Sequence, residues 1–304
     1  MTEPVGASRA DREGRPAGPS GRLEGSGGPS PRTTPPEPLP ADAFDSHCHL
    51  DLIERPGTAE VLAAARAAGI TRVVTIGVDV ATSRWAADCA DAHPGVYAAV
   101  AVHPNETARA AGGAPADRDA VLAEIASLAG LPPVRAVGET GLDYYRDWAP
   151  TGVQRDWFRA HIQIAKRAGR ALVIHDRDAH EDVLRILDDE GPPEHVIFHC
   201  FSGDAAMAKR CAEAGYVMSF AGNVTFPSAR QLREAAAAAP LDLILAETDA
   251  PFLTPVPYRG RPNAPAMVAH TLRAIAEVKH VDLAELCAAV TATGERVFGP
   301  MSAA

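Results

Sequence analysis

With 304 residues and 46 % of them apolar, the chain is long enough for one large core, and it holds no run of the roughly 18 apolar residues that a membrane helix needs. A formal charge of -10 with only three lysines argues against a broad basic surface for nucleic acid, but it leaves room for a nuclease, because carboxylates that hold divalent cations count as negative and the bound ion reverses the local sign. Five cysteines, an odd number without C-x-x-C spacing, fit reduced thiols with no disulfide and no zinc–thiolate cluster; with no secretory pattern at the N-terminus, a cytoplasmic protein is expected.

Half of residues 1–40 are Pro, Gly or Ser, and their charges balance. Such a stretch buries too little to offset its ordering entropy, so it reads as a disordered tail ahead of a folded domain over residues 42–300. From there short apolar runs predict strands at Ala43–Cys48, Arg72–Ile76, Val96–Val102, Val134–Val137, Ala171–Ile174, His195–Phe198, Tyr216–Ser219 and Leu243–Ala246. They recur about every 28 residues and lack clean alternation, as parallel strands buried on both faces do. Between them the 3.6 period predicts helices such as Ala59–Ala68, Ala120–Ala129, Val153–Ala168 and Glu181–Asp189. Gly69, Gly130, Gly169, Gly191 and Gly215 stand where left-handed C-caps are expected, and residues 281–298 suggest a terminal helix. Eight such units make an α/β fold, a single (β/α)8 barrel; an open doubly wound sheet shares the same alternation.

Polar groups favour closure. Asp45, His47 and His49 close the first strand, His103 and Asn105 follow the third, and Glu139 follows the fourth. His175, His199, Asn223 and the Glu247-Thr248-Asp249 run end the fifth to the eighth. A closed barrel brings all of these ends to one face, where barrel enzymes place their sites, whereas an open sheet leaves the first and eighth far apart. In His47-x-His49 the period of two puts both imidazoles on one side and Cys48 on the other. Taken singly, His47 and His49 also fit hydrogen-bonded core histidines, Glu139 a helix N-terminus or surface salt bridge, His175 and His199 structural histidines, and Asp249 a turn cap. Taken together, these histidines and carboxylates suit two divalent ions about 3.5–4 Å apart, with zinc, manganese, cobalt and magnesium all compatible.

The segments D-S-H-C-H-L (45–50), V-H-P-N (102–105), G-E-T-G-L-D-Y-Y (138–145), V-I-H-D-R (173–177), F-H-C-F-S-G (198–203), S-F-A-G-N-V-T-F (219–226) and E-T-D-A-P-F-L-T-P-V-P-Y-R-G-R-P-N (247–263) resemble, in order, the TatD family of metal-dependent deoxyribonucleases. The resemblance implies that His47, His49, Glu139 and Asp249 hold one ion and that Glu139, His175 and His199 hold a second. It also implies that His103 lies near the substrate phosphate or a further ion. Ala101 departs from the family's usual glycine two residues before that histidine. The implied activity is hydrolysis of DNA phosphodiesters, on single strands or ends and exonucleolytic, with Asp249 and Glu139 catalytic and His103, Arg259 and Arg261 binding phosphate. Arg259 and Arg261 also fit solvated loop charges, and Tyr144, Tyr145, Trp148, Phe201, Phe252 and Tyr258 are equally candidates for base stacking and for packing. Two other readings share the ligand set: an amide, lactone or phosphotriester hydrolase, and a non-catalytic metal-binding barrel that docks a partner.

Overall fold

The computed structural model describes residues 34–110 and 115–302. Eight parallel strands follow one another round a barrel in chain order: β1 (Ala43–Cys48), β2 (Ile70–Ile76), β3 (Val96–Val100), β4 (Val134–Asp143), β5 (Ala171–Arg177), β6 (Val196–Phe198), β7 (Val217–Phe220) and β8 (Ile244–Ala246). A helix or helices follow each strand, from Thr58–Ala67 and Val80–Ala92 to Val268–Lys279 and Leu283–Phe298. Burial explains the monotony of the strands: Val73, Val74, Ala98, Ala99, Val100, Ala136, Val137, Leu172, Ile174 and Ile244 are all at most 2 % exposed, so both faces are mostly apolar, and buried polar residues such as Ser46 and Ser219 are hydrogen-bonded to each other.

The seam between β8 and β1 decides between a barrel and an open sheet, and it is closed. Cys48 and Ala250 form a parallel bridge, the His49 amide donates to the Ala250 carbonyl at 2.7 Å, and the Asp249 amide donates to the His47 carbonyl at 2.9 Å. At the seam the helix Leu283–Phe298 packs against β1 and β8. Its Gly294 is forced by Phe44, whose ring atoms lie 2.1 Å from where a Cβ would stand.

Two expectations change in the structure. β4 does not end at Val137: after a register shift, Thr140, Gly141, Leu142 and Asp143 pair with Ile174, His175, Asp176 and Arg177 of a lengthened β5. Gly69, Gly169, Gly191 and Gly215 have positive φ as expected, but Gly130 does not. Residues 1–33 of the expected tail lie outside the described residues; the chain is already packed at Leu39, 8 % exposed, whose amide donates to the Ala68 carbonyl. All five cysteines are free, and among the described residues no helix is long and apolar enough to cross a membrane.

Candidate metal centre

β1 delivers His47 through a register irregularity between Asp45 and Cys48, and His49 follows directly after the strand. The Cys48 thiol turns into the wall toward the Val74 carbonyl at 3.6 Å, and its neighbours His47 and His49 turn into the mouth. His47 is fully buried, yet neither of its ring nitrogens has a hydrogen-bond partner. Leaving a buried imidazole unpartnered costs free energy unless some other ligand takes its lone pair.

That ligand has a place beside Glu139, which is buried at the register shift midway along β4 and faces two ways. Its Oε2 looks at His47 Nε2 (3.5 Å) and His49 Nε2 (3.9 Å), and Asp249 Oδ1 stands 3.7 Å and 3.5 Å from the same two nitrogens. Its Oε1 looks at His175 Nδ1 (2.6 Å), His199 Nε2 (3.1 Å) and His103 Nε2 (3.4 Å). The strands come this close because Gly141 has no side chain: a Cβ there would meet the His175 carbonyl oxygen at 2.1 Å, and its φ of +139° suits glycine alone. Donor atoms of His47, His49 and Glu139, of His103, Glu139 and His175, and of His47, His199 and Glu247 form three sets whose members lie within 4.8 Å of one another.

Charge in the cluster is arranged for a cation. Burial, together with the His199 ring stacked at 3.6 Å, pushes His47 down to about 3, so it stays a neutral donor. Burial works to raise Glu139, but the His199 and His103 rings beside it hold its carboxyl well below the usual carboxylate range. Burial works to lower His175 and His199, yet hydrogen bonds to Asp143 and Glu139 carry His175 up to about 9, and the Glu247 and Glu139 charges carry His199 well above its ordinary value. A negative field that stabilises a proton on an imidazole serves a divalent ion in the same place, and the orphaned nitrogens of His47 fit one. Burial also pushes the Cys200 thiol up, away from a thiolate ligand.

Behind the donors stand residues to which the amino-acid pattern gave no role of their own. Glu247 Oε1 accepts from His199 Nδ1 and from the Cys200 amide, each at 2.8 Å, which leaves His199 Nε2 for the site. Asp143 Oδ2 meets His175 Nε2 at 3.2 Å and accepts from Asn105 Nδ2 at 2.9 Å. Asp45, wholly buried, accepts from the Thr248 amide (2.8 Å), the Thr248 hydroxyl and the His47 amide (3.3 Å), and so ties β1 to the loop that carries Asp249. Asn263 holds that loop from the other side through the carbonyls of Thr248 and Phe252. Glu247 lies two residues before Asp249, and that alternation was the available signal for it.

The remaining candidates are placed differently. His103 joins the cluster, 3.3 Å from His175 Nδ1. The Arg259 guanidinium lies 4.2 Å over the Phe226 ring, and that of Arg261 is 6.0 Å from the Tyr258 ring.

A parallel eight-stranded barrel whose mouth gathers imidazoles round one shared carboxylate has the build of a metal-dependent hydrolase. The family model described as TatD related DNase matches residues 44–299. The chain is 43 % identical over 265 residues to the uncharacterized metal-dependent hydrolase TatD of Mycobacterium tuberculosis, covering 84 % of this chain and 97 % of that one. It is 38 % identical over 259 residues to the uncharacterized metal-dependent hydrolase YabD of Bacillus subtilis, covering 84 % and 98 %. Among solved structures, the TatD homologue YJJV of Escherichia coli K12 superposes with a TM-score of 0.76 at 26 % identity, covering 85 % of this chain and 98 % of that one. The chain belongs to the TatD family of metal-dependent hydrolases.

Proposed function

We propose that this chain hydrolyses phosphodiester bonds of DNA with two divalent ions, one held by His47, His49, Glu139 and Asp249 and the other by Glu139, His175 and His199. The observation that carries the reading is the two-faced Glu139, with one carboxylate oxygen toward the His47–His49 pair and the other toward His103, His175 and His199. When bound, such ions lower the pKa of an attacking water and stabilise charge on phosphoryl oxygens.

The chain's own groups do the rest. Asp249, at the rim with its side chain 15 % exposed, reaches toward both β1 histidines and accepts the proton from the water. His103 and the guanidiniums of Arg259 and Arg261 hold the phosphate, a task to which a guanidinium fork is suited. Buried walls exclude bulk water from the donor cluster, which strengthens each of these interactions. The free cysteines support a reducing, cytoplasmic setting.

The test is cleavage of end-labelled single- and double-stranded DNA with magnesium, manganese, zinc or chelator, beside His47→Ala and Glu139→Ala. Metal-dependent cutting that both substitutions abolish is expected, and the ladder reports whether ends are trimmed. Metal-loaded protein that leaves all DNA intact but opens lactones, amides or phosphotriesters would overturn the nuclease reading.

A further inference from the structure

The structure sorts the aromatic residues near the mouth. Phe201 is core at 2 % exposure, Tyr144 is half-buried and bonded through its hydroxyl to Asp182, and Tyr258 is half-buried against the His270 ring at 5.4 Å. Tyr145 and Trp148, in the loop after β4, are instead 60 % and 48 % exposed. Two arginines lie on them: Arg177, the last residue of β5, 3.9 Å over the Tyr145 ring, and Arg146, 5.5 Å from Tyr145 and 4.8 Å from Trp148.

Several arginines elsewhere on the barrel spend their donors on carboxylates, as Arg155 does on Asp182, Arg159 on Asp189 and Glu190, and Arg210 on Glu181, and others on carbonyls, as Arg233 does on Val224 and Phe226. Among the described residues neither Arg146 nor Arg177 has an ion pair, although Asp147 and Asp178 adjoin them in sequence. In a chain of net charge -10, two exposed guanidiniums held over exposed rings present both donors for a phosphate and faces for a base. This ledge is also fixed to the metal centre. The Asp143 carboxylate that meets His175 Nε2 accepts from the Tyr145 and Arg146 amides at 3.0 and 2.9 Å, and the Tyr144 amide donates to the Arg177 carbonyl at 2.9 Å. Asp143 therefore sets the ledge and the donor cluster in one geometry.

We infer that Tyr145, Arg146, Trp148 and Arg177 form a subsite for an unpaired nucleotide next to the scissile phosphate, its base stacked on the aromatic and guanidinium faces and its phosphate paired with the guanidiniums. The inference rests on the nucleic-acid reading above and deepens it. A base can lie flat on these rings only where it is not stacked within a duplex, so the ledge selects single strands or frayed ends.

The test compares an oligo(dT), an abasic oligomer of equal length and the small diester bis(p-nitrophenyl) phosphate, with wild type, Tyr145→Ala/Trp148→Ala and Arg146→Gln/Arg177→Gln. In the aromatic variant the ratio of kcat/KM on oligo(dT) to that on the small diester falls about tenfold, and the ratio on the abasic oligomer does not move. In the arginine variant both ratios fall, and the slope of log affinity against log salt becomes shallower by about 0.7 for each phosphate that is no longer neutralised. Binding of a cleavage-resistant phosphorothioate oligo(dT), followed by anisotropy, weakens in both variants. Unchanged ratios with unchanged binding overturn the subsite, as does an equal loss on all substrates with a lowered Tm, which would make the ledge structural. Failure of the nuclease reading is a separate outcome, visible as a wild type that cuts no DNA, and the anisotropy series still decides the ledge in that case.

Discussion

The imidazoles on the two sides of Glu139 are oriented by different means. His175 and His199 each have a carboxylate behind the ring, Asp143 at 3.2 Å and Glu247 at 2.8 Å. His47 has no such partner; it is held by its own strand, by stacking on His199 at 3.6 Å, and by the seam bonds that join β1 to the Asp249 loop. The β1 side thus borrows its order from barrel closure, whereas the β5–β6 side carries dedicated supports. Changes at the seam should cost stability first, and changes behind His175 or His199 should cost metal affinity first.

The largest effect is expected where the two sides meet. Glu139→Gln keeps the shape but removes the charge that both sides share, so bound metal, measured by mass spectrometry on the desalted protein, should fall from about two ions to below one per chain. Turnover should drop by at least about 10²- to 10³-fold, the scale for losing a group that stabilises charge in a transition state. A variant that retains both ions would separate the two sides and remove Glu139 as their bridge.

Glu247→Gln and Asp143→Asn come next and address the dedicated supports. Each should raise the metal Kd about 10- to 100-fold, the usual cost of altering a carboxylate behind a ligating histidine. Added metal should restore kcat in Glu247→Gln. In Asp143→Asn the restoration should be partial, because Asp143 also accepts from the Tyr145 and Arg146 amides. Isothermal titration with manganese checks both, and an unchanged Kd with a much lower Tm would show that the supports serve the fold rather than the ions.

The same contrast explains what could be read from the sequence. The strands announced themselves because burial on both faces leaves mostly apolar residues, and the donors His47, His49, Glu139, His175, His199 and Asp249 were visible because each lies at or close to the end of such a run. The second half of β4 was hidden, since Gly138–Asp143 reads as a loop until pairing with Ile174–Arg177 supplies its partners. Glu247 and Asp143 went unassigned because a carboxylate that backs a histidine is defined by a partner 48 or 32 residues away and has no local signature. Gly130 shows the reverse error: a glycine after a helix suggests a left-handed cap, but here the chain turns without one.

The smallest effect is the most diagnostic for the seam. Thr248→Val deletes the hydroxyl that donates to Asp45 Oδ2 and accepts from the Ala250 amide at 3.2 Å, in a fully buried place. The loss should be about 1–3 kcal/mol. For a domain of this size that lowers Tm by roughly 2–4 °C per kcal/mol. Its pH dependence has a definite sign. Burial raises the Asp45 pKa well above its ordinary value, against the pull of the Thr248 hydrogen bonds, and removing one of those bonds raises it further. A raised folded pKa means stability that is complete at low pH and is lost as pH rises through that value. The Tm gap between variant and wild type should therefore be constant below the wild-type Asp45 pKa and widen as pH rises through it. Differential scanning fluorimetry against pH measures it, and a gap that shrinks with rising pH would mean that the Thr248 hydrogen bond does not favour the ionised form of Asp45.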